Sequence, residues 1–139
     1  MECPFCNTEH LKNKTKMLYN GKHVYVILSN PRLMSGHLLV IPKKHVEKLS
    51  ELSDEEKKEL FDKVVEFQEK VLKHFGGCDI RQHFRPFQPQ DSLKINHLHI
   101  HLHPREIGDE LYDKSQIFEK QIFSQLTEQE KEKFSKLFS

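Results

Sequence analysis

The chain has 139 residues, 36% of them apolar and 31% charged, which is the length of one compact domain with a modest core. Its 22 Lys and Arg against 21 Asp and Glu leave a formal charge of +1, so no global field points to nucleic acid or an anionic membrane. No run approaches the roughly 18 apolar residues of a membrane span. The opening MECPFCNTEH also lacks an apolar signal region, and a cytoplasmic protein that binds no membrane is expected.

Cys3 and Cys6 form a C-x-x-C pair, while Cys78 stands alone and reads as a small buried hydrophobe. Residues 16–19 and 23–28 read as two strands around Asn20-Gly21, a hairpin signal because both turn residues tolerate positive φ. A loop with Asn30-Pro31 follows, then a third strand over 36–41 that Pro42 stops. The spacing of Leu60, Val64, Phe67, Val71 and Phe75 predicts a helix over 54–75. Ser53 and Glu56 stand at capping-box spacing, and Gly76-Gly77 end the helix. Residues 78–82 read as extended, 83–92 as a loop, and 95–102 as a strand ended by Pro104. The polar remainder predicts a helix near 117–126 and another from Glu128, where Thr127 and Glu130 repeat the capping-box spacing. The expected division is a domain over 1–112 and a helical extension of it over 113–139.

His97, His99, His101 and His103 alternate along the last predicted strand and share one face, with Leu98, Ile100 and Leu102 on the other. An idle solvated face needs no imidazoles, since Lys, Thr or Glu serve it equally well. Imidazole is nucleophilic when neutral near pH 7 and suits attack on phosphorus. Side chains two apart on a strand stand roughly 6.5 Å apart at the backbone, so neighbouring rings can flank a phosphate. A backbone carbonyl that accepts from Nδ1–H of the central ring leaves its Nε2 lone pair for attack. Upstream, Arg81, Gln82, His83, Arg85 and Phe87 form a basic-aromatic cluster, read either as phosphate and base recognition or as an ordinary exposed loop. Arg105 divides evenly between a phosphate contact and a surface salt bridge. Four ligands are needed for a closed structural zinc site, and the cysteine pair supplies two, with His10 the nearest further candidate.

The run His97-Leu98-His99-Ile100-His101-Leu102, with Pro104-Arg105 after it, resembles the signature of the histidine triad (HIT) family of nucleotide hydrolases and transferases. Gly36-His37-Leu38-Leu39-Val40-Ile41-Pro42-Lys43-Lys44-His45 resembles the family's second landmark, and Cys3-Pro4-Phe5-Cys6 is similar to a bacterial branch that holds structural zinc. The resemblance implies an α+β fold, a HIT-like antiparallel sheet of about five strands with one long packed helix, and a homodimer. It implies His99 as nucleophile toward the α-phosphorus, His101 at the phosphate oxygens, His97 supporting them and His37 beside the same pocket. It also implies zinc on Cys3, Cys6, His45 and His97, and no organic cofactor. The substrate expected is a nucleotide or nucleotide conjugate, a dinucleoside polyphosphate or an adenylated compound, with nucleic acid disfavoured by the near-zero charge.

Two departures leave the substrate open. Lys94 falls where many hydrolase members carry a hydroxyl residue, and it offers a point charge in place of that hydroxyl. Ser29, with Asn30 beside it, stands where the family's ribose-binding Asp or Asn is expected. The competing readings are a noncatalytic nucleotide-binding or interaction protein and a metalloenzyme that uses the histidine strand as ligands. No carboxylate lies on that strand to complete a familiar catalytic metal site.

Overall fold

The computed structural model describes residues 3–139, and the chain divides into two compact units at Ile107–Gly108. The first unit is an antiparallel sheet of five strands: β1 (Met17–Asn20), β2 (Val24–Leu28), β3 (Leu38–Pro42), β4 (Gly77–Arg81) and β5 (Ile100–Arg105). Their order across the sheet is β1-β2-β3-β5-β4. The β1–β2 hairpin forms where Asn20-Gly21 predicted it, and the Gly21 N–H closes the turn onto the Val24 carbonyl at 2.8 Å.

Helix α2 (Asp54–Leu72) lies on one face of the sheet. Ser53 Oγ accepts from the Glu56 N–H at 3.2 Å while Glu56 Oε1 accepts from the Ser53 N–H at 2.8 Å, the reciprocal cap expected from the spacing. Leu60, Val64, Phe67 and Val71 pack against Val24, Val26, Leu38, Val40, Ile100 and Leu102. Each such buried aliphatic or aromatic side chain contributes about 1.5–3 kcal/mol. The opposite face carries a smaller cluster of Phe5, Leu11, Tyr25, Ile27, Leu39 and Ile41. The helix ends at Leu72, three residues short of the expected Phe75, because the chain must turn before Gly77 opens β4.

The last strand is displaced from the expected 95–102. β5 begins at Ile100, because β3 offers it partners only over Leu38–Val40. Ahead of it Leu98 N–H donates instead to the Val46 carbonyl at 2.7 Å. Pro104 does not stop the strand; it pairs with Cys78 beyond the last β3 partner, where a missing N–H removes no bond to β3. A helix α1 (Thr8–Lys14), absent from the sequence reading, follows the cysteine pair, capped by Asn7 through its Oδ1 and the His10 N–H at 3.1 Å.

The second unit, Gly108–Ser139, is helical. A π-helical turn over Tyr112–Gln116 runs into α3 (Ile117–Glu119), and α4 (Glu128–Leu137) starts at the Thr127–Glu130 capping box. Among the described residues no helix is long and apolar enough to cross a membrane.

Candidate active site and metal centre

At the N-terminal approach to β5, Cys3, Cys6, His45 and His97 bring four ligand atoms within 4.8 Å of one another. Cys3 Sγ lies 3.3 Å and Cys6 Sγ 3.6 Å from His97 Nδ1, Cys6 Sγ lies 3.4 Å from His45 Nδ1, and the two Nδ1 atoms are 3.1 Å apart. Two thiolates and two imidazoles at these separations fit a closed tetrahedral metal site. The other ring nitrogen of His97 donates to the Pro42 carbonyl at 2.7 Å, the hydrogen bond that fixes a ligating tautomer. Tyr25 anchors the cysteine segment from below, its buried hydroxyl donating to the Phe5 carbonyl at 2.6 Å. His10, the rival ligand by proximity, sits on α1 outside this group.

The same His97 carries the next contact through its backbone. His99 Nδ1–H donates to the His97 carbonyl at 2.6 Å, which leaves the His99 Nε2 lone pair uncommitted. Burial holds the His99 imidazole below the ordinary histidine range, partly opposed by that carbonyl, so the ring is neutral at pH 7. Phe5 stands edge-on to it, with ring centroids 5.1 Å apart.

A second chain of contacts sets His101. Gly36 turns in the left-handed region (φ 81°), where a Cβ would meet Pro104 and Phe75, and delivers His37 to the start of β3. The Leu33 N–H donates to His37 Nδ1 at 3.0 Å, so the proton of this ring is on Nε2. His37 Nε2–H in turn donates to His101 Nδ1 at 2.9 Å. The His101 proton therefore sits on its own Nε2, and that nitrogen is a donor. Burial, with His103 and His99 nearby, lowers the His37 pKa to about 4, and burial with His99 and His37 lowers that of His101 to about 2, so both rings are neutral.

The fourth histidine of the strand is buried too. His103 is 3% exposed and packs edge-on against His37 with centroids 4.6 Å apart. Neither of its ring nitrogens has a hydrogen-bond partner. A buried polar group left so costs on the order of 1–3 kcal/mol.

These rings open into a cavity of about 1300 Å³ whose wall includes Ser29, Asn30, Arg81, Arg85 and Lys94. Ser29 Oγ donates to the Pro31 carbonyl at 2.8 Å and Asn30 Nδ2 to the Lys14 carbonyl at 2.9 Å. Lys94 Nζ donates to the Gln88 carbonyl at 2.8 Å and to Asn96 Oδ1 at 2.5 Å, which ties down the loop ahead of the histidine strand. Gln82 and Arg105 lie off the cavity wall. Gln82 Nε2 donates to the His83 carbonyl, and Arg105 pairs with Asp79 across β4 and β5. The aromatic that lines the cavity is Phe84, one turn of loop away from the expected Phe87, together with Phe5 and Arg32. Phe5 and Arg32 belong to no periodic pattern; only the position of Phe5 inside Cys-Pro-Phe-Cys marked it.

Fold and site together define a small α+β protein in which a histidine-lined cavity sits beside a Cys2His2 cluster capable of coordinating a metal. The HIT domain matches residues 10–108, and the chain belongs to the HIT family. A HIT-like protein of Methanocaldococcus jannaschii is 37% identical over 110 residues, 77% of this chain and 81% of its own length. A bis(5'-adenosyl)-triphosphatase of Dictyostelium discoideum is 26% identical over 112 residues, 74% of this chain and 72% of its own. A HIT family protein from Bacillus anthracis shares the fold, with a TM-score of 0.70 at 21% identity over 99% of this chain and 94% of that one. With the family comes its general chemistry, hydrolysis or transfer on nucleotide substrates.

Proposed function

We propose that the chain is a nucleotide hydrolase or nucleotidyl transferase that cleaves a phosphoanhydride or phosphoramidate at the α-phosphorus through a covalent His99–nucleoside monophosphate adduct. The observation that carries this reading is the hydrogen bond from His99 Nδ1–H to the His97 carbonyl, which presents a neutral ring with Nε2 free. In the first step the Nε2 lone pair forms a P–N bond, and the bond from phosphorus to the leaving group breaks with its electron pair on the leaving group. The leaving group takes its proton from solvent. In the second step water, or another acceptor with a transferable proton, attacks phosphorus and the P–N bond returns its pair to Nε2. His101 Nε2–H donates to a non-bridging oxygen, oriented by His37. His97 touches no substrate in this scheme; both its ring nitrogens are engaged, and it positions His99 through its carbonyl.

Dinucleoside polyphosphates or adenylated compounds are the substrate class, supported by the cavity's size and by Arg81, Arg85 and Lys94 on its wall for phosphates. We assign Ser29 and Asn30, which line the cavity, to the ribose hydroxyls. We assign zinc to Cys3, Cys6, His45 and His97 on the donor set, as a structural ion that stiffens the base of the catalytic strand. On family resemblance the protein works in the cytoplasm as a homodimer.

The test is intact-mass measurement at short times on the protein and its His99→Asn variant, incubated with diadenosine polyphosphates, adenosine phosphoramidate, ATP and GTP. The expected result is an acid-labile adduct of one nucleoside monophosphate that forms and decays in the wild type and is absent in the folded variant. Tight nucleotide binding without adduct or product would turn the reading to a noncatalytic binding protein. Turnover that survives in His99→Asn would overturn the mechanism.

A further inference from the structure

We propose a second transition-metal site, separate from the cysteine cluster, formed by the imidazoles of His37, His101 and His103. One ligand nitrogen from each of the three rings lies within 4.8 Å of the others. His37 and His101 face each other across a single hydrogen bond of 2.9 Å, and His103 stands edge-on to the first with ring centroids 4.6 Å apart. His37 immediately precedes β3, and the pairing of Leu38 with Leu102 sets it beside His101 and His103 on β5.

His103 is the observation that points to a ligand. Both its nitrogens are buried and without a partner, beside the His37 and His101 nitrogens that share one hydrogen bond. A solvent-facing alternation explains none of this, because the ring is 97% buried where any aliphatic residue would pack. Three nitrogen ligands and no thiolate suit a divalent ion of the zinc, cobalt or nickel kind, with at least one coordination position left to water or a phosphate oxygen.

Loading this site moves the His37 proton from Nε2 to Nδ1 with no net proton released, so the ring gives up both its hydrogen bond to His101 and the one it accepts from the Leu33 N–H. If the reading under Proposed function holds, the ion therefore inhibits turnover, because it removes the contact that orients His101. The binding claim itself does not rest on that reading.

The experiment starts from protein carrying one zinc per chain and titrates it with Co2+, which does not outcompete zinc at a Cys2His2 site. We expect one further equivalent to bind, with visible ligand-field bands of a nitrogen-coordinated ion and no thiolate-to-cobalt charge transfer. His103→Leu, which fills the buried position with a residue of the core's own kind, is expected to weaken this second binding at least tenfold and to retain its zinc. His103→Gln is the parallel variant should leucine disturb folding, and circular dichroism with zinc content reports on both. A total of one metal per chain in the wild type would overturn the proposal. So would thiolate charge transfer, or a second equivalent bound equally well by both folded variants. In turnover assays the wild type is expected to lose activity as Co2+ fills the site and His103→Leu to resist it. Binding without inhibition would leave the site standing and count against the role assigned to His37 and His101.

Discussion

Leu33 and His37 decide the chemistry of a ring 64 residues further on. The Leu33 N–H makes His37 an Nε2 donor, and His37 makes His101 a donor toward the cavity. His37→Phe keeps a ring of similar breadth and removes the donor, so turnover is expected to fall by about 10²-fold, the ordinary cost of one misplaced transition-state donor. A comparison of kcat for this variant and wild type, with KM measured alongside, checks it; an unchanged kcat would remove His37 from the scheme. The alternation of His97 to His103 was legible in the sequence, because two-residue spacing is a property of any strand. The pairing of His37 with His101 was not legible from spacing, because it depends on the β3–β5 register. Lys94 lines the cavity as its position in the sequence suggested, and its bonds to Gln88 and Asn96 were not legible because they depend on how the loop folds.

Among the elements, α2 was the most legible, since its stripe and its cap agree. Ser53→Ala removes the acceptor of the Glu56 N–H and is expected to cost about 1 kcal/mol, seen as a lowered midpoint in thermal or urea unfolding with an unchanged urea slope. Helix α1 escaped notice because it is 7 residues long and buries only Leu11, too little to produce a periodic stripe. The limits of β5 were misplaced for a related reason. A strand's ends are set by where its neighbours supply partners, and Pro104 breaks a ladder only if another strand needs its N–H.

For the whole molecule, the cysteine segment near the N-terminus, His45 and His97 from the middle and far end of the first unit close onto one point. Bringing such distant segments together stabilises the fold by as much as the ion prefers the folded chain. Removal of metal by a strong chelator is therefore expected to lower the melting temperature and reduce turnover together, with both recovered on adding Zn2+. Loss of turnover with no change in melting temperature would instead place a metal in the reaction itself. A C-x-x-C pair by itself suits redox chemistry as well as metal binding, and it is the meeting of four donors in space that favours the metal.

The grip on His99 comes from the main chain of His97, and a peptide oxygen is present whatever side chain stands at that position. Substitution at 97 can therefore remove one donor of the proposed metal site without deleting the acceptor that sets the His99 tautomer. Under the proposed scheme metal binding and catalysis are separable, because they depend on different atoms of one residue.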